Sequence, residues 1–98
     1  MLRMDQARGG CVRLTFVLPA ADPAGRVSVV GDFNSWLPGA HELKRRSNGT
    51  RSLAVTVPVG TSLRFRYLAE GDQWINETEH PDVTQVGDDC LIVAALPE

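Results

Sequence analysis

The chain has 98 residues, 43% of them hydrophobic and 22% charged, and a formal net charge of -2 at pH 7. That length suits one domain with a modest core, and the balance excludes a disordered or fibrous chain. No long basic run occurs, which argues against a nucleic-acid footprint or a strong attraction to anionic membranes; the expected partner is uncharged or weakly charged.

Residues 1 to 10 mix charge, glycine and glutamine without a period and read as a disordered tail. They hold no apolar signal-peptide core, and no stretch of the chain is long enough to span a bilayer, so the cytoplasm is the expected compartment. From Val12 to Leu18 the apolar residues Val12, Leu14, Phe16 and Leu18 alternate with Arg13 and Thr15, the pattern of a half-buried strand. The segment Pro19 to Gly25 is punctuation, with two prolines that cannot donate to a ladder.

A second strand, Arg26 to Val30, runs into Gly31-Asp32-Phe33-Asn34-Ser35-Trp36. This is a strand ending in a shaped corner. Gly31 is expected to take a backbone angle closed to other residues, Asp32 and Asn34 to bond their own backbone, and Phe33 to turn inward, leaving Trp36 near the surface. His41 to Arg46 reads as a short strand with Leu43 inward. Asn48-Gly49 gives the strongest hairpin signal, a two-residue turn into the strand Arg51 to Val57. Leu63 to Glu70 alternates most clearly, with Leu63, Phe65, Tyr67 and Ala69 against Arg64, Arg66, Leu68 and Glu70. Gly71-Asp72 turns the chain into a brief strand, Gln73-Trp74-Ile75; Asn76 to Asp89 has no period and reads as a long surface loop, and Cys90 to Leu96 as the last strand. About seven short, mainly antiparallel strands and no helical window predict an all-β sandwich of immunoglobulin-like type over residues 11 to 98.

Nucleophile elbows, phosphate loops and metal-ligand spacings are missing from the sequence, and the chain reads as a non-enzyme that needs no cofactor. His41, beside Glu42, reads as a solvated surface imidazole. His80 lies among Glu77, Glu79, Asp82, Asp88 and Asp89, but these carboxylates lack the spacing that converges oxygen ligands on a calcium ion. Cys11 and Cys90 read as small apolar fillers, although a first and last strand lying side by side would bring them together.

The two tryptophans, Trp36 and Trp74, each follow a strand at a corner. Each either caps the core or is displayed as a flat apolar face with one N–H donor, which suits a sugar: a face of C–H groups with an edge of hydroxyls. By alternation Arg66 lies opposite Phe65 and Tyr67, on the solvated face, with Arg64 beside it.

Gly-Asp-Phe-Asn-x-Trp after a valine-rich strand, followed by Arg64-Phe65-Arg66-Tyr67, Glu70-Gly71 and Trp74, resembles carbohydrate-binding module family 48. That family includes the isoamylase N-terminal early-set domains and the glycogen-binding domain of the AMP-activated kinase β subunit, and the resemblance covers about residues 12 to 96. It implies a partner, linear α-1,4-glucan, with Trp36 and Trp74 as stacking rings and Arg66 as the donor to sugar hydroxyls. Asp88-Asp89 stands where the kinase-type domain has an asparagine pair, one of which bonds the sugar, so Asp88 is the candidate there. A carboxylate accepts from hydroxyls but cannot donate. The apolar loop residue that helps the kinase-type domain grip glucan has no match in Val83-Thr84-Gln85-Val86-Gly87, which implies weak binding.

Two functions are therefore expected to compete. One is a non-catalytic module that binds glycogen, starch or maltodextrin and tethers a glucan-metabolising partner. The other is a protein-interaction or regulatory sandwich with a degenerate sugar site. Met1 favours a whole chain over a fragment of a larger enzyme.

Overall fold

The computed structural model describes residues 2–21, 25–77 and 80–95. Within them the strands are β1 (Leu2–Gln6), β2 (Cys11–Pro19), β3 (Val27–Gly31), β4 (Lys44–Arg45), β5 (Thr50–Pro58), β6 (Ser62–Ala69), β7 (Gln73–Ile75), β8 (Thr84–Val86) and β9 (Asp89–Val93), with one turn of 3-10 helix at Asp32–Asn34. They form two antiparallel sheets, β1-β2-β5-β4 and β3-β6-β9-β8, with β7 also paired to β6. The protein is an all-β sandwich.

Alternation builds its interior. Val12, Leu14 and Phe16 of β2 are buried while Arg13 is exposed, and Leu63, Phe65, Tyr67 and Ala69 of β6 are buried while Arg64 is exposed. Val27 and Val29 of β3 and Cys90 and Ile92 of β9 complete one continuous core. At its centre Phe16 meets Phe65 and Tyr67 edge to face, with ring centroids 5.1 and 6.2 Å apart. Such aromatic pairs contribute about 0.5–1.5 kcal/mol beyond the area they bury.

The last strand, expected over Cys90 to Leu96, is observed as Asp89–Val93, and Leu96 lies outside the described residues; three further stretches differ from the expectation. Residues 2–6 are not a tail: β1 pairs with β2 from Leu2↔Phe16 to Gln6↔Val12, and Leu2 is buried. Leu2 and Met4 alternate with Arg3 and Asp5, but two apolar residues are too few to establish a period; Gly9 and Gly10, at φ 69 and 71, reverse the chain. The loop expected between Asn76 and Asp89 contains β8, which forms a hairpin with β9. The Asn48-Gly49 turn is longer than the two-residue form: Arg46 N donates to the Thr50 carbonyl across Ser47-Asn48-Gly49, and of these only Gly49 has a positive φ, 78.

Two features of connectivity prepare the functional face. Residues 41–43 pair with the outer side of β3, through Val29 N to His41 O at 2.8 Å and Leu43 N to Val27 O at 2.9 Å, and the next two residues cross to join β5. One segment thus seals the two sheets along one side. On the other side of β3, β6 changes partner along a single edge: Ser62 to Phe65 pair with β9 and Tyr67 to Ala69 pair with β7. Arg66 sits at that seam. Cys11 and Cys90 lie in different sheets and are free thiols. Among the described residues no helix is long and apolar enough to cross a membrane.

Candidate functional site

The corner after β3 is built by packing and one amide. Gly31 is extended, at φ -174, so its backbone is open to any residue. What demands glycine is space: an added Cβ would collide with the Arg64 carbonyl oxygen on β6 and reach 2.7 Å from Phe33 Cε1. Phe33 anchors the corner, its ring stacked 6.3 Å from Phe16 and edge to face with His41 at 5.3 Å. Asn34 ties it: Oδ1 accepts from Gly31 N at 3.0 Å, which directs Nδ2 to the Val29 carbonyl at 3.0 Å and to His41 Nδ1 at 3.0 Å. His41 is therefore a half-buried acceptor through Nδ1, with its ring proton assigned to Nε2 by this network, and not a solvated surface imidazole.

Positive backbone angles fall one step later, on Ser35 and Trp36, at φ 57 and 58. For residues with side chains this conformation costs roughly 1–2 kcal/mol each, and it persists because the neighbours impose it. Trp36 N donates to the Gly31 carbonyl at 2.8 Å and Leu37 N to the Asn34 carbonyl at 3.1 Å. The Trp36 backbone is thus rigid, and its side chain is 36% exposed.

Strand parity assigns the face. On β3, Val27 and Val29 point into the core, so Ser28 and Val30 point outward. Ser28 Oγ accepts from Gly39 N at 3.2 Å, which folds the loop after Trp36 onto this outer face, and Val30, pointing the same way, is fully buried. Val30 pairs with Arg66 and Ser28 with Leu68, and Leu68 pairs in turn with Trp74 of β7. Arg66, Leu68 and Trp74 therefore share the face to which the Trp36 loop is tied. From Ser28 to Trp74 is two strand spacings, about 10 Å.

Arg66 and Trp74 are in contact: the guanidinium carbon lies 4.9 Å from the centre of the ring, and Nε donates to Asn76 Oδ1 at 3.0 Å. Trp74 remains 44% exposed. Neither indole makes a ring contact with another aromatic residue among the described residues. Asp88 is exposed in the Gly87-Asp88 turn that joins the Val86↔Asp89 pair. The half-buried Asp89 has the outward parity instead: Cys90 faces the core, and Leu91 pairs with Arg64.

Asn76 and Ser28 are members of this face that sequence reasoning did not single out. For Asn76 a signal existed, since Trp74 and Asn76 are two apart on a strand line. Glu77, counted with the acidic loop, is turned away from it. Its carboxylate accepts from Tyr67 Oη at 3.0 Å inside the core, and its carbonyl accepts from Gln85 Nε2 at 3.1 Å. The Tyr67 bond fastens the chain just after Trp74 to the interior. Among the described residues no group of three or more His, Cys, Asp or Glu side chains could hold a metal ion; Glu79 lies outside them.

Two concavities of about 490 Å³ lie elsewhere, one beside Arg26, Glu42 and Arg45 and the other beside Arg3, Arg46 and Ser52, and neither includes Trp36, Arg66 or Trp74. Polar strands with one flat aromatic contact, an oriented guanidinium and nearby amide and carboxylate groups can recognise a ligand that is apolar on one side and hydroxylated on its rim.

No family model matches the chain. It is 37% identical over 73 aligned positions, covering 65% of this chain, to the 1,4-alpha-glucan branching enzyme GlgB 2 of Xanthomonas campestris pv. campestris, strain 8004, and equally to that of strain ATCC 33913. The match covers 10% of each relative, so the chain spans about a tenth of the length of these enzymes.

Proposed function

We propose that this chain is a non-catalytic α-glucan-binding module. The observation that carries the reading is the Arg66 guanidinium carbon lying over the ring of a half-exposed Trp74, on the same sheet face to which the Trp36 loop is tied through Gly39 and Ser28. A guanidinium fork and indole faces complement hydroxyl edges and C–H faces without needing charge on the ligand. The similarity to part of a glucan branching enzyme supports glucan as the class, and linear α-1,4-glucan such as glycogen or maltodextrin is the proposed ligand, with Trp36, Arg66, Trp74 and the Asp88-Asp89 corner in contact with it. Stacking contacts less the cost of immobilising both partners correspond to a dissociation constant on the order of micromolar to millimolar. Repeated units on one polymer would add avidity.

The test is native-gel retardation on glycogen with Trp36→Ala and Trp74→Ala. Both rings are partly exposed, so each variant is expected to lose retardation while its melting temperature stays near wild type. Retention of retardation in both variants sinks the reading. A second reading, docking of a protein partner such as a glucan-metabolising enzyme, is favoured by Leu37, 59% exposed beside Trp36. Under it, titration with maltoheptaose leaves tryptophan fluorescence unchanged.

A further inference from the structure

The guanidinium of Arg66 is held at two points, by Asn76 Oδ1 at Nε and by the Trp74 ring 4.9 Å from Cζ. Asn76 reaches it by strand parity. Ile75 pairs with core-facing Tyr67 and packs against the core, so Trp74 and Asn76 on either side of it point outward together. Arg66 lies where β6 passes from β9 to β7, and there a side chain fixes it from the strand line beyond β7. An arginine has five N–H donors in a planar fork, one of them on Nε. With that donor engaged and Cζ held over an indole, the terminal nitrogens become donors whose direction the protein sets before any ligand arrives. An unrestrained arginine would have to be ordered by the ligand itself.

We propose that Asn76 is the positioning residue of this face, orienting Arg66 on Trp74 so that a preformed pair of guanidinium donors meets the hydroxyl edge of a neutral sugar. The inference rests on the glucan-binding reading and names what gives that site its hydroxyl selectivity. Asn76 acts through Arg66 and need not touch the ligand.

The experiment uses the full chain with Asn76→Ala, Asn76→Asp, Arg66→Leu and the combination of Asn76→Ala with Arg66→Leu. Each is titrated with maltoheptaose by tryptophan fluorescence, and the arginine Nε–H resonances of the ligand-free protein are followed by NMR. Arg66 Nε–H is expected to be protected from exchange in wild type and in Asn76→Asp, which keeps an acceptor, and to lose protection in Asn76→Ala. Binding by Asn76→Ala is expected to weaken about tenfold, Asn76→Asp to stay within about threefold of wild type, and Asn76→Ala to add nothing once Arg66 is leucine. Full affinity in Asn76→Ala overturns the proposal, as does an equal loss in the Arg66→Leu background or an Nε resonance indifferent to residue 76. If wild type itself ignores maltoheptaose, the glucan reading fails and the ligand half of the proposal with it, while the Nε resonance still decides whether Asn76 orients Arg66.

Discussion

Gly31→Ala is the most direct probe of the corner that carries Trp36. Gly31 is buried and pairs with Phe65, so one methyl added there points at the backbone of the neighbouring strand. Its nearest obstacles are the Arg64 carbonyl oxygen, fixed in β6, and the Phe33 ring, with Cε1 at 2.7 Å and Cδ1 at 3.0 Å. Phe33 cannot swing aside freely because it lies between Phe16 and His41. Overpacking costs about 1–3 kcal/mol, and a backbone obstacle points to the upper part of that range, about 2–3 kcal/mol. For a domain of this size each kcal/mol moves the melting temperature by about 4–8 °C, so a loss of roughly 10–20 °C is expected in a circular-dichroism melt. Gly39→Ala is the control. Its added Cβ has no atom within 4 Å, but its φ is 82, so it pays only backbone strain, about 1 kcal/mol or roughly 4–8 °C. Were Gly31→Ala to melt with Gly39→Ala or above it, the close approach of β3 to β6 would be wrong, and with it the account of why Trp36 stands where it does.

Leu2→Ala separates a strand from a tail. Leu2 is buried opposite Phe16, so the loss should be about 2–4 kcal/mol, seen as a lower urea midpoint with an unchanged slope; a frayed tail would give no change. Ser35→Gly relieves an exposed left-handed residue at φ 57 and should raise stability by about 0.5–1 kcal/mol, a few degrees in the same melt; a lower melting temperature would show that Ser35 does not hold that backbone angle.

The sandwich is legible in the sequence because its two central strands announce themselves. Val12, Leu14 and Phe16 on β2, and Leu63, Phe65, Tyr67 and Ala69 on β6, repeat with a period of two, and the corner residues Phe33 and Asn34 act locally enough for their roles to be read from type alone. What escapes is non-local. β1 acquires its meaning only when Gly9 and Gly10 fold Leu2 back onto Phe16, and β8 is three residues whose partner lies across a turn. At Gly31 residue type suggests a special backbone angle, whereas the need for glycine comes from a strand that pairs with it more than thirty residues later in the chain.

The binding face shows the same division more sharply. Residue type marks Trp36, Arg66 and Trp74, but whether they share a side of the molecule depends on register, and a slip of one residue in β6 would send Phe65 and Tyr67 outward and Arg66 into the core. The acidic position is subject to that parity too. Because the β8–β9 turn is Gly87-Asp88, Asp89 and not Asp88 falls in line with Leu91 on the outer face. The alternation that packs Phe65 against Phe16 is thus the one that turns Arg66 toward Trp74, so the core and the face are fixed by one set of pairings. A substitution that loosens the β3–β6 ladder should therefore weaken ligand binding together with stability, whereas one at Trp74 or Asn76 should weaken binding alone.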